Sequence, residues 1–366
     1  MSYVVYVGMS GGVDSSVTAA LLKEQGYTVV GVYMKNWTQD LPGMTCPWQD
    51  DYQDAKRVSV QLGIDFKMYD FQTEYRQKVV DYMVNEYQAG RTPNPDIMCN
   101  QEVKFKLFLE TALEDGADLI ATGHYARIAS EAANEKQSEK EQPFTARLMT
   151  AKNSDKDQTY FLYRVSEEAL SKSLMPIGEF ITKDEVRALA RKFGLTTADK
   201  KDSQGICFVG KVGIREFLEF ELGPQEPGVI FDHNGIEVGK HDGAIFYTIG
   251  QRHGLHVGGG LPFYVTGKDM VKNEVYVTTN LDDTKLWTDE IHLTDIHWIN
   301  QNMYPGVNGT LQSPKLQVRT RYRAPLVTCH IEDTVLRLDE PVRAVTPGQS
   351  AVLYNGDHVL GGGIVI

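Results

Sequence analysis

Four short stretches of the 366-residue sequence combine residue types that can do chemistry. The first is Gly8-Met9-Ser10-Gly11-Gly12-Val13-Asp14-Ser15-Ser16. Adjacent glycines allow positive φ and a close approach of ligand to backbone. The serines add hydroxyl donors. A helix opening at this point adds unpaired amides and the positive end of its dipole, an anion site that suits phosphate. A glycine turn capped by serine is the plainer alternative. The string has no lysine after its glycines and is not G-x-x-x-x-G-K-S/T, nor does it fit G-x-G-x-x-G. The second stretch is Asn94-Pro95-Asp96-Ile97-Met98-Cys99. Pro93 and Pro95 bracket an asparagine, which predicts an ordered loop that enters a helix over about 102–115. Cys99 then lies just before a helix N-terminus, where thiolate is favoured. Asp96 is a candidate proton acceptor. A solvated turn with an idle buried cysteine fits the same spacing. The third is Gly123-His124-Tyr125, whose histidine could touch phosphate or ribose, or cap the turn. The fourth is Gly205-Ile206-Cys207-Phe208, where apolar flanks suit a structural cysteine at a buried strand end. Cys207 gains chemical meaning only by pairing with Cys99.

The elements around these stretches predict how they are held. Residues 3–7 are β-branched and aromatic, a buried strand, and 17–26 read as a helix stopped by Gly26. The first stretch is therefore a strand-to-helix turn. Residues 28–34 read as a second strand with Met34 at its C-terminal end, 49–62 as a helix, 66–70 as a strand, 73–87 as a helix and 117–125 as a strand running into a glycine turn. Alternation of this kind predicts an α/β fold with a doubly wound, Rossmann-like parallel sheet. Such sheets bind ligands at their carboxyl ends. Residues 129–143 are polar and of low complexity, an exposed hairpin tip or insertion, and 144–149 resume as strand. Residues 155–162 read as the start of a helix that meets a partner, and 182–193 as a helix with acidic residues first and Lys192 last.

Composition shifts after about Gly210. Short alternating runs rich in glycine, proline and aromatics predict a small β-rich domain over 211–280. Turn signals at Pro305-Gly306, Pro347-Gly348 and Asn355-Gly356 predict a six- or seven-stranded antiparallel β-barrel over 281–366, after a catalytic domain over 1–210. Lys315, Arg319, Arg321 and Arg323 alternate, which predicts three arginines on one strand face. That face is either solvated or touches an RNA backbone.

Net charge is −12, which argues against a generic nucleic-acid coat. Cys46, Cys99, Cys207 and Cys329 form no C-x-x-C pair. Structural zinc is not expected, and scattered thiols point to a reducing cytosol. No apolar run reaches membrane-span length, and a strand so near the start leaves no room for a leader. The expectation is a cytoplasmic enzyme with no membrane partner.

The string SGGVDSS resembles the PP-loop of the ATP pyrophosphatases, which split ATP between the α and β phosphates and adenylate a substrate. Together with Asn94-Pro95-Asp96 before Cys99, Gly123-His124-Tyr125, residues 156–162 (KDQTYFL), Gly205-Ile206-Cys207-Phe208, residues 247–252 (YTIGQR) and Arg321-Tyr322-Arg323, it resembles the bacterial tRNA-specific 2-thiouridylase family nearly end to end. The resemblance implies that Gly8, Met9, Ser10, Gly11, Gly12, Val13, Asp14 and Ser15 hold ATP. Met34 would lie beside the adenine and Gly123 would complete the site. It implies magnesium with the ATP, placed in part by Asp14, and no structural metal. It implies a persulfide on Cys207, Cys99 as its partner thiol with a transient Cys99–Cys207 disulfide, and Asp96 handling a proton. The target would be wobble uridine 34 of the tRNAs for Lys, Glu and Gln. Asn94, Pro95 and Asp96 would line the base pocket, and His124, Lys156, Asp157, Gln158, Arg321, Tyr322 and Gln349 would contact tRNA. A sulfur-relay donor of the cysteine desulfurase pathway would be the second partner. Two rival readings are a PP-loop synthetase that adenylates a small molecule, needing no cysteine pair, and a non-enzymatic RNA-binding protein with a relic nucleotide fold.

Overall fold

The structure, a computed structural model, describes residues 2–131, 145–201, 213–258, 260–300 and 316–366. Cys207 and its flanking motif, the hairpin tip over 132–144, Lys315 and the Pro305-Gly306 turn lie outside the described residues.

The first part is a five-stranded parallel sheet. Its strands are β1 (Val4–Gly8), β2 (Thr28–Lys35), β3 (Asp65–Asp70), β4 (Leu119–Ala121) and β7 (Ser173–Leu174), in the order β3-β2-β1-β4-β7. Period-two alternation in β1 sends Tyr6 to one core and Val5 and Val7 to the other, so both faces are covered. Helices α1 (Val13–Glu24) and α2 (Trp48–Leu62) share the core that holds Val5 and Val7. The order reverses between β1 and β4, and the crevice at that switch point is where open α/β sheets take ligands.

Between β4 and β7 the chain leaves the sheet as a hairpin, β5 (Ala126–Glu131) with β6 (Thr145–Thr150). The hairpin does not stand free. β6 pairs with β17 (His358–Val365), at Leu148 with Val359 and Met149 with His358. It thereby joins the C-terminal sheet.

The C-terminal strands β12 (Trp287–Trp298), β13 (Leu316–Arg319), β14 (Val327–Glu332), β15 (Val335–Arg343), β16 (Ser350–Asn355) and β17 run in the order β12-β15-β14-β13-β16-β17. Pairing of β12 with β17 closes a six-stranded antiparallel barrel among the described residues. Its core includes Leu293, Leu316, Leu336 and Leu353. Closure removes the exposed edges that an open sheet would leave. The middle part is a four-stranded sheet of β8 (Gly228–Phe231), β9 (Glu237–His241), β10 (Tyr264–Asp269) and β11 (Glu274–Thr278), in the order β10-β11-β8-β9.

Three local expectations need correction. The helix after Asn94 starts at Pro95, not near residue 102, and runs unbroken over 95–114. The Asn94 side chain accepts from the Asp96 amide at 3.2 Å, and Pro95 sits at the first helical position, where its missing N–H costs nothing. Pro93 and Pro95 bound the loop but do not exclude the helix. Residues 155–162 form turns and a single short 3-10 turn at Thr159–Phe161, not a helix. Finally, β13 ends at Arg319, so Arg321 and Arg323 lie on the following turn, with Arg323 at φ 63°. Arg319 points inward, 5.4 Å over the Tyr354 ring and 3.5 Å from Asp157. The three arginines share no strand face.

Candidate active site at the switch point of the sheet

The loop between β1 and α1 is built as the glycines require. Gly11 has φ +72°, and a Cβ on it would stand 2.4 Å from the Asp51 carbonyl oxygen of α2. Gly12 is the N-cap of α1 in extended conformation and supplies no side-chain cap. The helix-start amides therefore have no protein side chain capping them at Gly12, which suits an anion. Ser15 lies behind the loop; its hydroxyl accepts from the Ser10 amide at 3.2 Å and donates to the Gly12 carbonyl at 3.2 Å. Of the loop residues, Ser10 is exposed and Gly12 and Asp14 are half-buried, whereas Gly8, Met9, Gly11, Val13 and Ser15 are buried.

Two walls close on this loop. Met34, at the end of β2, lies over Gly8, where a Cβ would stand 3.0 Å from its Cε. Gly123, just past β4, packs against the start of α1, where a Cβ would stand 2.7 Å from the Ser15 amide nitrogen. Gly123 needs a glycine because its neighbour is backbone, whereas at Gly8 the neighbour is the flexible end of Met34.

The helix over 95–114 lies alongside. Phe108 on it reaches within 3.6 Å of a Cβ placed on Gly8. Cys99 is the fifth residue of that helix, 3% exposed, and begins a π-helical stretch at Cys99–Leu107. Such stretches recur at functional sites. It is one turn inside the helix rather than before it. Asn100 next to it is buried and donates Nδ2–H to the Phe161 carbonyl at 3.0 Å. Asp96 is partly covered, and burial raises its carboxyl above the ordinary range while the charge of Lys104 opposes that shift. Lys104 is a participant that residue spacing did not single out.

Several residues expected to contact a partner are buried or half-buried in this structure. His124 is buried; its Nδ1 lies 2.8 Å from the Thr122 hydroxyl, and burial, then Lys104, lowers its pKa well below the usual value. It is a neutral ring inside the site wall. Gln158 clamps Tyr125, accepting from its amide at 2.9 Å while its own amide donates to the Tyr125 carbonyl at 2.9 Å. Asp157 is 4% exposed, and accepts from the Ala151 amide at 2.9 Å and the Thr159 hydroxyl at 2.7 Å, with Arg319 of the barrel 3.5 Å away. Burial raises its carboxyl, and these donors pull it back. Asp157→Ala is expected to lower unfolding free energy by about 3 kcal/mol, because Arg319 and two donors lose their buried acceptor. Chemical denaturation measures this, and an unchanged midpoint would refute it. Lys156 is half-buried, while Arg321 is exposed and donates to the Ala344 carbonyl at 3.1 Å. Tyr322 packs against Phe161 with ring centroids 4.5 Å apart and the planes tilted by 48°.

Gln349 lands where the three parts of the chain meet. Its Nε2 donates to the Thr92 carbonyl at 2.7 Å, just before Asn94. The Thr92 amide donates to the Pro347 carbonyl at 2.8 Å, and the Thr92 hydroxyl lies 3.1 Å from that of Thr248 in the middle part. The barrel and the middle sheet thus set the path of the loop that launches the Cys99 helix.

Known proteins match this sequence along nearly its whole length. Three family models match in turn: tRNA methyl transferase HUP domain over residues 3–211, tRNA methyl transferase PRC-barrel domain over 215–279, and aminomethyltransferase beta-barrel domain over 288–365. Proteins named tRNA-specific 2-thiouridylase MnmA from Geobacillus thermodenitrificans and Bacillus licheniformis are 44% and 45% identical to it, each over 99% of this chain and 94% of their own. The chain belongs to the tRNA-specific 2-thiouridylase family. MnmA 2 of Geobacillus kaustophilus is 45% identical over the same shares. Membership of this family implies the use of ATP.

Among the described residues, no group of three or more His, Cys, Asp or Glu is placed to hold a metal ion, and no helix is long and apolar enough to cross a membrane.

Proposed function

We propose that this chain 2-thiolates wobble uridine 34 in the tRNAs for Lys, Glu and Gln, in the cytoplasm, using ATP and a sulfur-relay donor. The observation that carries the reading is identity of 45% over 99% of the chain to proteins named tRNA-specific 2-thiouridylase. Within it, residues 1–210 do the chemistry, 211–280 form the small central domain and 281–366 add the tRNA-contacting barrel. The family-model descriptions speak of methyl transfer. A glycine-rich anion loop with a cysteine helix packed beside it favours adenylation and sulfur transfer.

Uracil C2 carries a carbonyl oxygen, a poor leaving group. Attack of that oxygen on the α-phosphorus breaks the α–β bridge, releases pyrophosphate and turns the oxygen into part of AMP. The amides at the start of α1 would stabilise the charge that develops on the phosphates. Ser10 and Ser15 would help hold the phosphates, and Asp14 would help place any magnesium that travels with them, which would supply further charge neutralisation. Next the outer sulfur of a Cys207 persulfide attacks C2 and AMP departs. The Cys99 thiolate then attacks the inner sulfur, breaking the S–S bond; the transferred sulfur is reduced and Cys99 and Cys207 are left as a disulfide. Asn94, Pro95 and Asp96 would line the pocket for a base flipped out of the anticodon.

Asp96 suits proton acceptance because burial has raised its carboxyl. The acid limb of kcat/KM is therefore expected above the ordinary carboxylate range and absent in Asp96→Asn. The sign for stability is opposite to that of an ion-paired carboxylate. A raised folded pKa contributes less stability as pH rises from the unfolded value through the folded one, so Asp96→Asn should gain relative stability toward neutral pH. Pulsed pH–rate profiles with parallel denaturation curves measure both, and identical profiles in the two proteins would remove Asp96 from this role.

The test of the reading as a whole combines protein, ATP, magnesium, a sulfide source and unmodified glutamate tRNA, with nucleosides read by mass spectrometry. ATP-dependent 2-thiouridine supports it. Pyrophosphate release against small molecules with no thiolated base would favour a synthetase.

A further inference from the structure

The helix Lys183–Lys192 carries an ammonium group into the phosphate loop from far along the chain. Lys183 is its first residue, capped by Thr182, whose hydroxyl accepts from the Glu185 amide at 3.3 Å. Val186 and Ala190 of this helix are buried in the same core as Val13 and Val17 of α1, so the two helices are packed as a unit. That packing aims Lys183 at the loop. Its Nζ donates to Asp14 Oδ1 at 2.7 Å and to Oδ2 at 2.8 Å. It also stands 5.5 Å from the centre of the Tyr125 ring, and the Tyr125 hydroxyl donates to Asp14 Oδ1 at 3.1 Å. The Lys183 side chain is 14% exposed and that of Asp14 31%.

This cation completes a charge pattern. The start of α1 contributes a partial positive charge and Lys183 a full one, against the single negative charge of Asp14. The P-loop lysine of other nucleotide-binding folds is missing from the Gly8–Ser16 loop itself. A lysine delivered by another helix can fill its place, since an ammonium is a mobile point charge on a flexible stem. Partial burial strengthens its field at the phosphates.

We propose that Lys183 is the side-chain cation of the ATP phosphate site, moving its ammonium from Asp14 to the β and γ phosphates when ATP binds. It holds the pyrophosphate portion and offsets the charge that portion gains when the α–β bridge breaks. Tyr125 keeps a hydrogen bond on Asp14 through the exchange. This inference rests on the ATP-dependent reading of the site.

The experiment compares equilibrium binding of ATP and of AMP, without tRNA, to the wild-type full chain, Lys183→Met and Lys183→Arg. Loss of one charge-assisted contact should weaken ATP about 10- to 100-fold. AMP has neither β nor γ phosphate, so its affinity should stay unchanged. Lys183→Arg should keep most of the ATP preference. A structural role for the Lys183–Asp14 pair would weaken both nucleotides together, and that result, or an unaltered ATP affinity, would overturn the proposal. Lys183→Gln replaces the methionine variant if the latter does not fold, with the same ATP-to-AMP ratio as readout. A wild-type chain with no preference for ATP over AMP would instead fail the ATP-dependent reading and the inference with it.

Discussion

Cys99→Ser is expected to abolish 2-thiouridine formation, a loss of roughly 10⁴-fold or more if Cys99 acts as the thiol that cleaves the persulfide. ATP affinity should stay at the wild-type value, because Cys99 lies on the 95–114 helix and outside the Gly8–Ser15 loop. The substitution also has a packing cost. Cys99 is 3% exposed in the main core, and replacing a buried thiol by a hydroxyl there costs about 1–2 kcal/mol. Activity loss alone would therefore be ambiguous. Cys329 supplies the control. It is equally buried, in the barrel, and burial followed by the charge of Asp339 pushes its thiol up to about 12. Such a thiol is inert at neutral pH. Cys329→Ser should lose comparable stability and retain thiolation. Mass spectrometry of nucleosides, with thermal unfolding of both variants, reads the comparison. Equal activity in the two variants would remove Cys99 from the chemistry and favour the synthetase reading.

The second large effect is expected at Gly11. Alanine there meets two obstacles at once. At φ +72° an L-residue loses roughly 1–2 kcal/mol. Its Cβ would also stand 2.4 Å from the Asp51 carbonyl oxygen, which belongs to the backbone of α2 and cannot rotate away. Either the loop or the helix must shift. Asp51 is also held by Lys200, whose Nζ donates to its Oδ1 at 2.8 Å and to Asp54 Oδ2 at 2.7 Å, so α2 is tied down. The loop gives way. A displacement of about 1 Å at positioned groups costs roughly 100-fold in rate. Gly11→Ala is therefore expected to weaken ATP at least that much, and to slow tRNA-dependent pyrophosphate release in step. Gly12→Ala is the contrast, since Gly12 is extended and a Cβ there would approach only the Ser10 hydroxyl at 3.4 Å. Equal nucleotide affinity in Gly11→Ala and wild type would show that the loop does not hold the phosphates.

The strand, glycine turn and helix at residues 4–24 were legible in the sequence because each depends on contacts a few residues apart. Side-chain alternation sets β1, φ freedom sets the turn, and apolar spacing sets α1. The β-barrel was legible for the same reason, through alternation and turn residues, although its closure by β12 and β17 joins strands far apart in the chain. The start of the 95–114 helix is also locally encoded, by Asn94 as cap and Pro95 after it, but a proline breaks a helix interior and opens a helix equally well, so the two prolines leave the start ambiguous. The directions in which polar side chains point were not legible. Asp157, Gln158 and His124 face inward because β6 joins the barrel and Tyr125 packs over the phosphate loop, both tertiary events. Likewise nothing near Thr92 in the sequence says that Pro347, Gln349 and Thr248 will meet it.

By itself, then, the sequence determined the local chemistry. It set out a loop that can hold phosphate, a cysteine beside an acid, the order of strands and helices, and the family these imply. Only the tertiary structure decided which groups share one site. Lys183 reaches Asp14 across 169 residues of chain, because two helices bury their apolar faces against each other and leave an ammonium and a carboxylate at the same rim. Hydrophobic burial is non-directional and long-ranged in sequence, so it settles where the charges end up without leaving a local pattern to read.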